Sequence, residues 1–201
     1  MVAGDSSPIV SSLGLCLVSG PAGSGKSRWA EHLAESSALD VVYLATGPSR
    51  PNDPSWQWRV EQHRRRRPTH WRCQEVAGDL TPGLESLEPG QVGLVDSIGT
   101  WVAAHLKLDS TAWERRWEEL QTSIQRSKVP LIFVCEEVGW GVVPPTTIGM
   151  RFRERLSSVQ GWLSASAGSA WLVLQGRAID LIAMSIPVPT EPPGSPPGLL
   201  S

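Results

Sequence analysis

The sequence has few of the features that mark secreted or membrane proteins. Its three cysteines, Cys16, Cys73 and Cys135, show no paired spacing, which excludes a disulfide framework or a zinc cluster. Cys16 and Cys135 lie in apolar runs and are expected to pack as small hydrophobic side chains. No apolar run reaches the ~18 residues of a membrane span, and no basic stretch leads into an apolar one as in a signal peptide. These absences predict a cytoplasmic protein with no membrane span.

The chain also lacks an excess of charge of either sign. A formal net charge of −2 gives no general indication of nucleic-acid binding. With 201 residues, of which 40% are hydrophobic, one α/β domain is expected, over 13–185. Residues 1–12 are polar and serine-rich and are predicted to be flexible. The segment 186–201 has six prolines in sixteen residues and is predicted to be disordered.

Short apolar runs alternate with amphipathic segments along the domain. Strands are predicted at 13–19, 41–44, 69–76, 92–95, 129–135 and, finally, 170–174, and helices at 28–34, 56–66, 98–108, 111–127 and 146–165. The proline-rich and glycine-rich stretches 48–56 and 136–145 are predicted loops. This alternation is typical of a mostly parallel sheet with helices on both faces.

The strongest motif is G-x-x-x-x-G-K-S, placed between the first strand and the first helix. Its glycines allow a tight turn whose N–H groups point at phosphate oxygens. Lys26 places a positive charge against the β- and γ-phosphates, and Ser27 offers a hydroxyl to Mg²⁺ at a helix N-terminus. The motif predicts a P-loop NTPase-like (RecA-like) α/β fold. The predicted phosphate-binding residues are Gly20, Pro21, Ala22, Gly23, Ser24, Gly25, Lys26 and Ser27.

A second nucleotide strand is expected at 92–95, and Asp96 follows it. An acidic residue at such a strand end commonly holds Mg²⁺, directly or through water. The alternative interpretation is an aspartate that caps the next helix.

The most unusual stretch is the run of arginines Arg64–Arg67, which directly follows His63. Arginines in a nucleotide enzyme bind phosphate in a bidentate manner; a solvated face or an RNA-binding patch are the alternatives, although no aromatic residue interrupts the run. A neutral imidazole at His63 can attack an α-phosphorus and carry the nucleotidyl group, and the arginines would disfavour its protonation. Spacing alone favours a surface histidine at His63, as it does for His32, His70 and His105.

Further segments match, in order, the motifs of one family. They are Lys26-Ser27-Arg28-Trp29-Ala30-Glu31, Val42-Tyr43-Leu44-Ala45-Thr46, Arg59-Val60-Glu61-Gln62-His63, Arg67-Pro68-Thr69-His70-Trp71 with Glu75, Leu94-Val95-Asp96-Ser97 with Trp101, and Glu137-Val138-Gly139-Trp140-Gly141-Val142-Val143-Pro144. In this order the chain resembles the bifunctional adenosylcobinamide kinase / adenosylcobinamide-phosphate guanylyltransferase family of cobalamin biosynthesis.

The resemblance implies two reactions on one corrinoid. A nucleoside triphosphate phosphorylates adenosylcobinamide, and GMP is then transferred from GTP to the product through a guanylylated His63, with release of pyrophosphate. It implies GTP and ATP as substrates and a homotrimer. The residues themselves predict Mg²⁺ at Ser27 and Asp96, and the charge predicts no nucleic-acid partner. Besides the phosphate loop, the residues implied to contact the nucleotide are Ala45, Thr46, Gly47, Arg64, Arg65, Arg66, Arg67, Glu75 and Asp96.

The chain also departs from the family pattern. Glu136 stands where the family usually has asparagine, and the segment 152–161 lacks the glycine–arginine and asparagine–glutamine pairs of the corresponding family stretch. The acidic approach to the histidine is replaced at 53–56, and the late G-I-P motif reads Gly176-Arg177-Ala178. Three alternatives therefore stay open: a chain with guanylyltransferase activity alone, one with kinase activity alone, and a degenerate nucleotide-binding regulatory protein.

Overall fold

A computed structural model describes residues 14–48, 52–141 and 144–188 of the chain. Within the helix at 54–66 it describes the backbone, but not the side chains, of Trp56, Arg59 and His63. The predicted flexible segment 1–12 and all but the first three residues of the predicted disordered tail lie outside the described residues. The domain boundaries therefore stay predictions.

A seven-stranded sheet forms the centre of the fold, with the strand order β3-β2-β4-β5-β1-β6-β7. All neighbouring strands are parallel except β6 and β7, which confirms the predicted mostly parallel sheet. The strands are β1 (Leu15–Gly20), β2 (Asp40–Ala45), β3 (Arg72–Glu75), β4 (Gln91–Asp96), β5 (Leu131–Glu136), β6 (Ser169–Leu174) and β7 (Arg177–Asp180).

The prediction that β6 is the last strand is wrong, because β7 follows it in an antiparallel hairpin. Gln175 and Gly176 both have positive φ, 48° and 76°, and they separate the paired residues Leu174 and Arg177. Two such residues make the tight turn whose twist matches an antiparallel pair. The departure at Gly176-Arg177 thus coincides with this hairpin.

Seven helices are found in the described part of the chain, and the five predicted ones are among them with shifted ends. The loop predicted at 48–56 is wrong for its last residues: Pro54 is the first residue of α2, where a missing N–H costs nothing. The short α3 was not predicted, because Pro82 and Gly83 interrupt any periodicity. The helices are α1 (Lys26–Ser36), α2 (Pro54–Arg66), α3 (Leu80–Glu85), α4 (Ile98–Ala104), α5 (Ser110–Arg126), α6 (Thr147–Ser166) and α7 (Leu181–Met184).

Both faces of the sheet are covered by apolar side chains. Successive residues of β1 point to opposite faces: Leu15 and Leu17 pack with side chains of α4, α5 and α6, whereas Cys16 and Val18 pack with α1. Cys135 is also fully buried and unpaired, so both cysteines serve as core side chains, as predicted. Over the described ranges, no helix has the length and apolarity needed to cross a membrane.

Candidate active site

The carboxyl ends of five parallel strands bring most of the predicted site residues to one edge of the sheet. Gly20 at the end of β1 is in register with Glu136 at the end of β5. Asp96 at the end of β4 is in register with Ala45 on β2, which in turn pairs with Glu75 on β3. In open α/β sheets ligands bind in the crevice outside these strand ends, so this edge is the candidate active site.

The phosphate loop connects β1 to α1 through backbone conformations that need glycine. Gly23 and Gly25 have φ of 73° and 98° with no atom near their Cβ positions, so their requirement is conformational. At Gly20 the requirement is steric, since a Cβ would overlap the carbonyl oxygen of Val173 on β6. The loop therefore lies close against the neighbouring strand.

Hydrogen bonds hold both ends of this loop. The backbone N–H of Glu137 donates to Gly20 O at 3.0 Å, and that of Gly176 donates to Ser24 O at 3.1 Å. The Lys26 ammonium donates to Pro21 O at 3.3 Å, which keeps the cation over the loop. Ala22 and Gly23 are exposed, whereas Ser27 is half-buried in the first turn of α1. The strand, loop and helix have the arrangement that phosphate binding requires.

Asp96 is held by the only tyrosine of the chain. The Tyr43 hydroxyl donates to Asp96 Oδ2 at 2.7 Å, and the Arg67 guanidinium lies 3.5 Å above the centre of the Tyr43 ring. Burial raises the pKa of Tyr43 well above its ordinary value, and the adjacent Asp96 carboxylate raises it further. The Asp96 carboxylate is thus oriented by a buried donor on the neighbouring strand.

The residue after Asp96 is the one that caps α4. Ser97 accepts from Thr100 N–H in a capping box, so the alternative interpretation of Asp96 as the helix cap is wrong. The Ser97 N–H donates to Thr46 Oγ1 at 2.9 Å, and the Thr46 hydroxyl donates to Ser97 O at 2.6 Å. Thr46 is fully buried, so its hydroxyl bonds to the start of α4, whereas Ala45 and Gly47 remain half-buried.

Glu136 reaches the same helix start from β5. Its Oε1 accepts a short hydrogen bond from the Ser97 hydroxyl, and its Oε2 accepts from Gly99 N–H at 3.1 Å. Burial raises the pKa of Glu136, and the Ser97 bond and the Lys26 charge oppose that shift. The departure from the family's asparagine therefore places a carboxyl group between the phosphate loop and α4.

Two arginines of the basic segment at the end of α2, Arg66 and Arg67, contact α1 and the sheet. Arg66 contacts Glu31 of α1 at 3.3 Å. Arg67 donates to Cys73 Sγ at 3.0 Å on β3, in addition to covering Tyr43. Arg65 forms an exposed pair with Glu61 at 2.8 Å, one turn earlier on α2, and Arg64 is exposed. Two arginines of the run thus lie against α1 and the sheet, and the other two are exposed.

Glu31, the partner of Arg66, lies on α1, the helix that follows the phosphate loop. Burial raises the pKa of Glu31, and the charge and hydrogen bond of Arg66 oppose that shift.

The predicted nucleophile His63 lies one turn before Arg67 on α2, but its side chain is outside the described residues.

The oxygen donors of Ser27, at the start of α1, and of Asp96, at the end of β4, are of the kind that Mg²⁺ takes together with nucleotide phosphates. Ser27 would supply a hydroxyl and Asp96 a carboxylate, both hard oxygen ligands. In the described parts of the chain, no group of three or more histidine, cysteine, aspartate or glutamate side chains is placed to hold a metal ion. Mg²⁺ in such sites needs only one or two carboxylates, because phosphates and water complete its shell.

A glycine-dependent loop between a buried strand and a helix, a lysine over that loop and an aspartate at a nearby strand end define a P-loop nucleotide-binding protein. Comparisons with known proteins agree: residues 16–181 match the family described as cobinamide kinase / cobinamide phosphate guanyltransferase. The chain belongs to this family.

Curated relatives cover most of the chain. The bifunctional adenosylcobalamin biosynthesis protein CobU of Escherichia coli (strain K12) is 32% identical over 182 residues, which are 83% of this chain and 99% of that protein. CobU of Salmonella typhimurium matches with the same identity and coverage. The bifunctional adenosylcobalamin biosynthesis protein CobP of Pseudomonas aeruginosa is 36% identical over 149 residues, 73% of this chain and 83% of that protein.

A solved structure supports the fold class alone. An ATPase from a type III secretion system of pathogenic bacteria superposes with a TM-score of 0.53 at 13% identity, over 80% of this chain and 51% of that chain. The predicted α/β, P-loop NTPase-like (RecA-like) fold is confirmed.

Sequence reasoning missed the polar groups that hold Asp96 and the start of α4. Tyr43, Ser97 and Glu136 were part of matched or altered motifs but had no assigned role. Aligning the apolar runs as parallel strands places the residues at their carboxyl ends side by side. This signal could have indicated that Glu136 lies beside the other strand-end residues of the site. The hydrogen bonds to α4 depend on the helix direction, which that alignment does not contain.

Proposed function

We propose that this chain phosphorylates adenosylcobinamide and then transfers GMP from GTP to adenosylcobinamide phosphate. The observation that carries the proposal is the phosphate loop, with Lys26 over it and Asp96 at the end of β4, in a chain of the cobinamide kinase / cobinamide phosphate guanyltransferase family. The names of the curated relatives, bifunctional adenosylcobalamin biosynthesis proteins, support both reactions.

In the phosphorylation step, the corrinoid hydroxyl oxygen attacks the γ-phosphorus and the bond to the β–γ bridging oxygen breaks. The hydroxyl proton leaves to water, and the nucleoside diphosphate departs. Loop N–H groups and Lys26 neutralise the charge that moves onto the β-phosphate. Mg²⁺, held by Ser27 and Asp96, would supply further charge neutralisation when bound.

In the guanylyl transfer, a nitrogen of His63 attacks the α-phosphorus of GTP and pyrophosphate leaves. A phosphate oxygen of the corrinoid then attacks the same phosphorus, and the P–N bond breaks. Arg66 contacts Glu31 of α1 and Arg67 lies over the Tyr43 ring. The two arginines therefore place positive charge at the end of α2. The remaining proposed nucleotide contacts are made by Arg64, Arg65, Glu75 and the segment 45–47.

We further propose a cytoplasmic homotrimer that binds no nucleic acid. Unpaired buried cysteines agree with a reducing compartment. The contacts of Arg65, Arg66 and Arg67 with their own chain agree with a role other than RNA binding. Sedimentation equilibrium tests the trimer: a monomeric mass at micromolar concentration would contradict it.

Labelling with α-phosphate-labelled GTP tests the covalent step. The wild type is expected to retain an acid-labile label, and His63→Asn is expected to lose it. His70→Asn is the matched control, because His70 is exposed on the connection after α2 and contacts Glu35 at 3.6 Å. An unlabelled wild type, or equal labelling of His63→Asn, would refute the proposed intermediate.

A guanylyltransferase without kinase activity is the second candidate, because Arg155 of the altered 152–161 segment has a structural role. Arg155 is buried and donates to the carbonyl oxygens of His105 and Leu108 at 2.8 Å each. Assays that supply adenosylcobinamide or its phosphate, each with GTP and with ATP, separate the candidates. Turnover of the phosphate alone would favour the second candidate.

A further inference from the structure

Glu136 joins β5 to the start of α4 through two side-chain hydrogen bonds. Its two carboxylate oxygens accept from two different donors, the Ser97 hydroxyl and the Gly99 N–H. A carboxylate can accept both bonds, whereas an amide has one acceptor oxygen and would meet one of these donors with its own N–H₂. An asparagine at this position is also shorter by one methylene. Both bonds together therefore require the carboxylate of glutamate, whereas glutamine has the reach to keep one of them.

Gly99 is matched to this carboxylate. A Cβ at Gly99 would overlap Glu136 Oε2 and would lie 2.8 Å from the carboxyl carbon. Gly99 is buried in the first turn of α4, where glycine has a lower helix propensity than alanine by about 1 kcal/mol. The glycine is thus explained by the close approach of the carboxylate and not by a requirement of the helix.

The contacts of Glu136 continue to Asp96 through one residue. Ser97 is held on one side by Glu136 and on the other by Thr46 at the end of β2. Since Asp96 directly precedes Ser97, and its carboxylate is held by Tyr43, both the backbone and the side chain of Asp96 are constrained. On the opposite side, Glu136 is in register with Gly20, where the phosphate loop begins.

We propose that Glu136 is a positioning residue for Mg²⁺–nucleotide binding, which holds the start of α4, and with it Asp96, at a set distance from the phosphate loop. The inference rests on the proposed role of Asp96 as a Mg²⁺ ligand. Glu136 itself does not contact the nucleotide. The consequence is specific: loss of its contacts weakens the Mg²⁺-dependent part of nucleotide affinity and spares the part due to loop N–H groups and Lys26.

The test is the dissociation constant of a fluorescent GTP analogue, measured with Mg²⁺ and with EDTA in place of Mg²⁺. For Glu136→Asn and for Gly99→Ala, the Mg²⁺-dependent gain in affinity is expected to fall about tenfold, as for loss of a hydrogen bond to a charged group. Affinity in EDTA is expected to stay within about threefold of the wild type. Glu136→Gln, which keeps the reach and one acceptor, is expected to retain most of the gain.

Two further variants separate positioning from general destabilisation. Glu137→Gln is the matched control, since Glu137 follows on the same chain and accepts instead from Gln160 of α6 at 2.9 Å; its Mg²⁺-dependent gain should equal that of the wild type. Glu136→Asn with Gly99→Ala should lose less than the two single effects combined, because the shorter amide leaves room for the methyl group.

Equal losses with Mg²⁺ and with EDTA would overturn the proposal, because they indicate a structural role only. Wild-type behaviour of Glu136→Asn and Gly99→Ala would overturn it as well, while leaving the proposed function intact. A wild type whose affinity does not depend on Mg²⁺ would refute both the Mg²⁺ role of Asp96 and this inference. The corrinoid assays then still decide whether the two reactions occur.

Discussion

Alkaline pH is expected to unfold this protein before its only tyrosine ionises in the native state. Tyr43 is 1% exposed and donates to Asp96, and burial raises its pKa well above the ordinary 10.0. A group whose folded pKa is raised contributes stability that is complete below its unfolded pKa and is lost as pH rises toward the folded value. Tyr43 therefore destabilises the fold above pH 10.

The two buried cysteines act in the same direction from a lower pH. Burial raises the pKa of Cys16 from 9.0 to about 12 and that of Cys135 well above 9.0. Each such group removes about 1.4 kcal/mol of stability per pH unit above its unfolded pKa. By about pH 11 Cys16 alone removes about 3 kcal/mol, and Cys135 and Tyr43 add to this loss, while the whole stability of a typical domain is ~5–15 kcal/mol.

Tyrosinate absorbance measures this directly, since no other tyrosine contributes. We expect the absorbance to rise steeply, at the same pH as the loss of far-ultraviolet circular dichroism. The steepness should exceed that of a single-proton titration. For Tyr43→Phe, unfolding is followed by circular dichroism. Its free energy of unfolding should fall less steeply with pH than that of the wild type, because one fewer proton is released on unfolding. A one-proton absorbance curve centred near pH 10 with native circular dichroism would refute the burial of Tyr43 against Asp96.

Three further predictions concern single side chains. His105 receives a hydrogen bond from Arg116, and burial lowers the pKa of its imidazole. The contribution of His105 to stability is therefore lost as pH falls below about 6.5. Urea titrations should show that the free energy of unfolding of His105→Gln depends less on acid pH than that of the wild type. Wild-type acid dependence of that variant would contradict the assignment. Gly20→Ala should weaken nucleotide binding at least about tenfold, because its methyl overlaps Val173 O, and strain of about 1–3 kcal/mol is typical; unchanged affinity by fluorescence titration would contradict the loop geometry. Arg155→Met should lower the unfolding free energy by roughly 2–4 kcal/mol, since two carbonyl groups lose their donor, and a loss below about 0.5 kcal/mol in urea unfolding would be evidence against this role.

Much of the fold could be predicted from local patterns. The apolar runs that became β1, β4 and β5 were found within one or two residues, because buried parallel strands are nearly continuous in hydrophobicity. The start of α2 and the whole of α3 were missed. Proline and glycine suggest a loop in a sequence pattern, yet Pro54 starts a helix and Gly83 packs in one.

For the site, the sequence by itself determined the phosphate loop. Its chemistry resides in consecutive residues, from Gly20 to Ser27, so their spacing is sufficient to recognise it. It also determined that Asp96 ends a buried strand, because the apolar run stops there. The candidate nucleophile His63 and the arginines after it are known from sequence and resemblance, and their roles stay predictions.

Only the tertiary structure decided what surrounds these residues. Tyr43, Ser97 and Glu136 lie 39 to 53 residues from their partners along the chain, and hydrogen bonds between them depend on strand order and helix direction. The sheet places β5 between the strand of the phosphate loop and that of Asp96, and so brings the Glu136 carboxylate to the start of α4. Contacts of this kind arise from three-dimensional packing, and no local pattern of residues contains them.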